Sequence, residues 1–188
     1  AFVNCIPVFI ASDAKWADRF KKAGLPVIGD DIKSLVGATI VHRTLTQMII
    51  DRGARIDSTY QLNVGGNTDF RNMTDQSRLR SKKISKTESV ASQIPYDTYV
   101  YAGPNGCIDS LNDNKICHLK IDFKLFGNVP AYLDLKLSVE DSPNSAGVVV
   151  DAIRVAKIAL DRKISGPLYP ASAYFMKHPP QQIREEEV

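Results

Sequence analysis

The most regular hydrophobic pattern lies in the second half of the chain. Cys117, Leu119, Ile121, Phe123 and Leu125 alternate with His118, Lys120, Asp122 and Lys124. After FGNVP, Leu133, Leu135, Leu137 and Val139 alternate with Asp134, Lys136 and Ser138. Period-two alternation predicts an antiparallel hairpin with one buried and one polar face. Two registers keep the apolar sets together. One sets Lys120 against Lys136 and Asp122 against Asp134. A shift of two residues sets Lys124 against Asp134 and Asp122 against Lys136, and opposite charges favour this second register. In either, the first strand starts where the second ends, so Lys115 is expected beside Asp141.

The first third alternates strand and helix signals, as a parallel α/β unit does. Phe2 to Ile10 reads as a buried strand and Asp13 to Ala23 as a helix ended by Gly24. LPVIGDD reads as a short strand, VGATIVHRTLTQMIIDRGA as a helix capped by Gly53, and STYQLNV as a strand closed by Gly65 and Gly66. The polar stretch Asp69 to Ser92 is expected to be helical in pieces. SAGVVVDAIRVAKIALDR predicts an amphipathic helix with Val149, Ile153, Ala156 and Leu160 on one stripe. The segment SGPLYPASAYFMKHPP reads as a proline-rich loop around Lys177.

With 188 residues and 44% hydrophobic composition, the chain can bury one substantial core. A net charge of +3 makes broad nucleic-acid binding a poor first expectation. No apolar run is long enough to span a bilayer, and the N-terminal stretch matches a signal-peptide core only loosely. Three unclustered cysteines suit a reducing, cytoplasmic setting. His42, His118 and His178 show no metal-ligand spacing, and any divalent metal is left undefined. The chain opens directly on an apolar stretch, so it is expected to be a fragment of something longer.

Charge becomes informative in RSKKISKTESV, where Lys82, Lys83 and Lys86 cluster with Ser81, Ser85 and Thr87. Lys82 and Lys86 share a helical face. The pair is either a solvated surface or a pair of point charges converging on an anion such as phosphate. In DDIKSLVGAT, Gly37, Ala38 and Thr39 stand at a helix start, where free N–H groups and the Ser34 and Thr39 hydroxyls could cradle a phosphate. The alternative is an ordinary N-cap by Ser34. LNVGGNTDF brings Asn63, Asn67 and Asp69 to a strand end, as ligand groups or as turn caps. Asp141 is a helix cap or an active carboxylate. Lys177 is an acid–base group or a snorkelling surface lysine.

GLPVIGDDIKS, QLNVGGNTDFRNM, SKKISKT, DSPNSAG and PASAYFMKHPP together resemble the myo-inositol-1-phosphate synthase family in its shorter prokaryotic form. The resemblance covers essentially the whole chain, in order. It implies the end of a Rossmann-type NAD-binding domain followed by a mixed-sheet α+β catalytic and oligomerisation domain. Residues 1–65 would be the first, 66–145 the second, and 146–188 a helix and active-site tail packing back on the Rossmann part. It implies conversion of glucose 6-phosphate to myo-inositol 1-phosphate by oxidation, enolisation, aldol closure and reduction with one NAD, in a homotetramer. It further implies that Lys82, Lys86, Lys115 and Lys177 are catalytic, with Asp141 orienting a lysine. Asp31, Ser34, Asp69 and Lys82 would lie near the cofactor. Ser34, Gly37, Ala38, Thr39, Asn67, Lys86 and Lys115 would serve the phosphate. The chain departs from the family in lacking a G-x-G-x-x-G turn, so it is expected to be inactive alone. A dehydrogenase of another phosphorylated sugar and a non-catalytic phosphate- or inositol-binding module are the competing readings.

Overall fold

A computed structural model describes residues 1–73, 76–184 and 187–188, with the side chains of residues 76–83 left out. The chain forms two compact units, residues 1–35 with 145–188, and residues 36–144.

The first unit is built on a three-stranded parallel sheet. Strands β1 (Phe2–Val3), β2 (Pro26–Ile28) and β7 (Gly166–Pro167) lie in the order β1-β2-β7. Helix α1 (Ala14–Lys22) starts where Asp13 accepts from the amides of Lys15 and Trp16, both at 3.0 Å, and packs on β2 and β7. The N-terminal strand is far shorter than the expected Phe2–Ile10. Beyond Val3 the chain turns to wrap the carboxylate of Asp30, which takes backbone N–H groups that a strand would have spent on a neighbour. Ile28, Val148, Ala152, Ala156, Phe175 and Met176 form the core of this unit.

Helix α5 (Asp141–Asp161) therefore buries Val148, Ala152, Ala156 and Ala159. Of the expected stripe, Ala156 is buried, whereas Val149, Ile153 and Leu160 each stand one position from a buried residue. The larger side chains Val149, Ile153 and Leu160 line an open apolar groove with β1, and the small residues permit close helix packing. The proline-rich tail is also more ordered than a loop. Helix α6 (Tyr169–Phe175) begins with Pro170 in its first turn, where a missing N–H costs nothing.

The second unit is a four-stranded mixed sheet of order β4-β3-β5-β6. Its strands are β3 (Arg55–Gly65), β4 (Tyr99–Cys107), β5 (Asn114–Lys124) and β6 (Pro130–Glu140). Strand β4, with two glycines and a proline, has no alternation to announce it. It runs parallel to β3, whereas β3–β5 and β5–β6 are antiparallel. Because β3 is hydrogen-bonded on both sides within this sheet, residues 36–65 belong here and not with residues 1–35. Helices α2 (Ala38–Asp51) and α4 (Gln76–Ala91) cover one face, where Ile49 of α2 joins Ile56, Ile94, Cys117, Leu119 and Ile121 in the core. The short helix α3 (Thr68–Asn72) follows the end of β3.

The hairpin forms in neither register weighed from its charges. Lys120 lies opposite Asp134, Asp122 opposite Tyr132 and His118 opposite Lys136. The loop decides this. Leu125 N–H donates to Val129 O at 2.9 Å, and Gly127 and Asn128 adopt left-handed φ of 73° and 60°. That geometry sets Lys124 opposite Pro130, and every later pair follows. Lys120 finds its anion along its own strand, at Asp122, 3.0 Å away.

Candidate active site

Each unit brings a lysine together with a carboxylate. In the second unit, Lys115 opens β5 on the face covered by helices, and Asp141 begins α5. Lys115 Nζ lies 2.7 Å from Asp141 Oδ1, and both side chains are largely buried. The other Asp141 oxygen accepts from Asn67 Nδ2 at 3.3 Å. The same amide donates to Asp113 Oδ1 at 3.1 Å, while Asn67 Oδ1 caps α3 by accepting from Phe70 N at 3.2 Å. Asn67 is thus both the helix cap and the bridge between two carboxylates.

Asp113 supports this cluster and has no signature in the sequence, where it reads as one more polar residue of a turn. It accepts from the Ser142 hydroxyl at 2.7 Å and the Ser142 amide at 3.0 Å. The Ser142 hydroxyl, more than any other partner, holds the Asp113 carboxyl below the usual carboxylate range, against burial and the nearby charge of Asp141. The turn before α3 is tightly packed. A Cβ on Gly66 would come within 2.6 Å of Asn112 N and Ile108 O, so only glycine fits there.

Lys86 joins the same neighbourhood from α4. It is 3% exposed, on a helix face with the buried Ser85 and Ser89. Burial drives the Cys117 thiol up to about 11, and the Lys86 and Lys115 ammonium groups both oppose that rise. The two lysines therefore project positive charge onto one buried spot, although they come from a helix and a strand. Lys82, with Ser81 and Lys83, falls outside the described side chains. Asp69 is exposed in the first turn of α3. Gly37, Ala38 and Thr39 are buried at the start of α2, where Gly37 is the N-cap and makes no side-chain cap bond. Ser34 is not that cap. Asn63 belongs to the core: its side chain donates to Gly103 O at 2.9 Å and braces β3 against β4.

In the first unit, Lys177 Nζ donates to Asp31 Oδ1 at 3.1 Å and to Ile32 O at 2.6 Å. Both side chains are largely buried, which removes the surface-lysine alternative. Asp31 has a left-handed φ of 63°. Ser34 follows on the same segment and is half-buried. Among the described residues, no three His, Cys, Asp or Glu side chains gather as a metal ion would require.

Known proteins match this chain closely. The family model for myo-inositol-1-phosphate synthase matches residues 37–142. Inositol-3-phosphate synthase of Corynebacterium glutamicum is 53% identical over 99% of this chain and 53% of its own length. The enzyme of the same name from Mycobacterium tuberculosis H37Rv is 53% identical over 99% of this chain and 52% of its own length. The chain thus spans about half the length of these curated relatives. The solved structure of a myo-inositol-1-phosphate synthase-related protein from Thermotoga maritima superposes with a TM-score of 0.80 at 31% identity, covering 95% of this chain and 47% of its own.

Proposed function

Because this chain belongs to the myo-inositol-1-phosphate synthase family, we propose that it carries catalytic residues for converting D-glucose 6-phosphate to 1L-myo-inositol 1-phosphate. The observation that carries this reading is that Lys86 is buried and Lys115 is paired with a shielded Asp141 in the same unit, with both ammonium groups acting on the Cys117 thiol. Ring closure by an aldol step passes through an enolate beside a phosphate dianion. Fixed cations stabilise such developing charge most where water is excluded. Lys86 is buried and Lys115 is held at 2.7 Å by Asp141, so both meet that condition.

The roles divide by chemistry. The N–H groups at the start of α2, around Gly37, Ala38 and Thr39, suit the phosphate; Ser34 and Asn67 are assigned to it by the family resemblance alone. Lys86 and Lys115 neutralise the phosphate and the enolate oxygen, Asp141 orients Lys115, and Lys82 acts with them. Lys177, fixed by Asp31 and the Ile32 carbonyl, serves the hydroxyl that is oxidised as its hydrogen-bonding and proton-exchange partner. The residues that the family resemblance assigns to NAD carry suitable groups, each taken by itself: Asp31 and Asp69 are acceptors for hydroxyls, Ser34 a hydroxyl, and Lys82 a cation. The chemistry NAD would supply there is reversible hydride exchange with no net redox change. A Rossmann-type domain would supply the rest of its site, and the parallel order β1-β2-β7 is consistent with one.

We further infer a cytoplasmic homotetramer. Its three cysteines are free, as a reducing compartment would keep them.

The decisive experiment gives the full-length protein glucose 6-phosphate and NAD. A cyclised product without NADH accumulation is expected. Steady NADH release would instead mean a simple dehydrogenase, and phosphate-sugar binding without turnover a binding module. Lys86→Ala and Lys177→Ala should abolish product while NAD binding persists.

A further inference from the structure

We propose that Asp30 is a positioning residue for Lys177: its buried carboxylate, clamped by residues 4–12, locks the left-handed turn at Asp31 that presents an anion to the lysine. This rests on Lys177 serving the oxidised hydroxyl.

Asp30 is 0% exposed, yet its carboxylate is fully engaged. Oδ1 accepts from Asn4 Nδ2 at 2.7 Å and Ala11 N at 3.0 Å. Oδ2 accepts from Ile10 N at 2.9 Å, Ser12 N at 3.1 Å and Ser12 Oγ at 2.8 Å. Three successive backbone N–H groups form the kind of concave nest that usually receives a ligand anion. Here the chain fills it with its own carboxylate.

The consequence reaches Lys177 through the backbone. Asp30 exchanges hydrogen bonds with His178 in both directions, at 2.9 and 3.0 Å. Lys177 N donates to Asp31 O at 2.7 Å, and Ile32 pairs antiparallel with Met176. At the far end, Lys33 N donates to Phe175 O at 2.8 Å, and the buried Lys33 Nζ donates to Ala173 O at 2.7 Å. Between these two fastenings lie Asp31 and Ile32, whose oxygens hold the Lys177 ammonium. A left-handed aspartate is strained and persists where its surroundings over-determine it. The Asp30 clamp supplies that constraint one residue away.

The test is Asp30→Asn in the full-length protein. An amide nitrogen would face N–H donors whichever way it turned. The expected result is a kcat lowered about 10- to 100-fold at unchanged KM for glucose 6-phosphate, the size of effect that a small misplacement of a catalytic group causes. Amide hydrogen exchange should quicken at Ile32 and Lys177 but not at Ala152 or Ala156 in α5. Asn4→Ala and Ser12→Ala each remove a single side-chain donor and should give smaller losses in the same direction, which keeps the test open should Asp30→Asn not fold. Ala152→Gly, a destabilised control in the helix core, should leave kcat unchanged. Asp30→Asn behaving like Ala152→Gly, or unaltered exchange at Ile32 and Lys177, would overturn the positioning role. Normal turnover by Lys177→Met would instead overturn the role of Lys177, and the proposal with it.

Discussion

Lys115 and Asp141 stand 26 positions apart in the chain and meet at 2.7 Å, one at the start of β5 and the other at the start of α5. Both are shielded from water, at 13% and 16% exposure, so the pair is worth more than a surface ion pair and costs more to break. Lys115→Met should destabilise the fold by about 1–3 kcal/mol, because it removes the ammonium held 2.7 Å from the largely buried Asp141 carboxylate. A double-mutant cycle with Asp141→Asn in urea unfolding should return a coupling of about 1–2 kcal/mol. A coupling near zero would mean that the pair is solvent-screened after all.

Cys117 provides a reporter for the cations around it. Its thiol ionises near 11 in the fold because burial disfavours the thiolate, and Lys86 and Lys115 pull the other way. Removing either charge, by Lys86→Met or Lys115→Met, should raise the value further. Thiolate ultraviolet absorbance, followed in a background with Cys5 and Cys107 changed to serine, measures this directly. A thiol is neutral in the fold and ionises near 9 when exposed, so this group's contribution to stability is present below pH 9 and is lost as pH rises toward 11.

Much of this arrangement was legible before any coordinates. Alternation fixed the β5–β6 hairpin, and the hairpin alone brought Lys115 to Asp141. Its register was not legible, because cross-strand charge is worth only tenths of a kcal/mol per pair and the loop geometry overrides it. The packing face of α5 is only partly legible: helical spacing points to Val149, Ile153, Ala156 and Leu160, of which Ala156 is buried, whereas close approach selects Val148, Ala152 and Ala159 beside it. Asp30 and Asp113 could not be found by pattern. Each matters through backbone N–H groups or a serine far along the chain, and no local spacing records such partners. Lys177 was noticed, but its partner Asp31 entered only through family resemblance.

His42 makes the fold sensitive to mild acid. Its ring is fully buried between Gln61 Oε1 at 3.2 Å and Thr59 Oγ1 at 2.7 Å, and burial lowers its pKa from 6.5 to about 4. The unfolded chain therefore binds a proton that the fold rejects between those values. This group's contribution is present above pH 6.5 and is lost as pH falls through about 4, a change on the order of 3 kcal/mol. Urea unfolding at pH 7 and pH 4.5 should show the loss, and a His42→Gln variant should lack that part of the slope. An equal loss in the variant would assign the acid sensitivity to the carboxylates instead.

The face of the mixed sheet turned away from α2 and α4 carries Tyr60, Leu62, Tyr99, Tyr101 and Tyr132, an unusual aromatic load for a surface. Tyr132 is 69% exposed, and its described partner is the Lys120 ammonium, 5.4 Å from the ring centroid. The charged residues that β5 and β6 place on this face are Lys120, Lys124, Lys136, Asp122, Asp134 and Glu140, three of each sign. Balanced charge and exposed tyrosines would suit a two-fold contact between identical chains, such as the proposed homotetramer needs. Tyr132→Glu should therefore lower the assembled mass in sedimentation while circular dichroism stays unchanged, because the side chain is not part of the core. Lys120→Glu, which breaks the charge balance on the same face, should weaken assembly in the same direction. Unchanged sedimentation in both variants would remove this face from the subunit contact and leave the tyrosines without an assembly role.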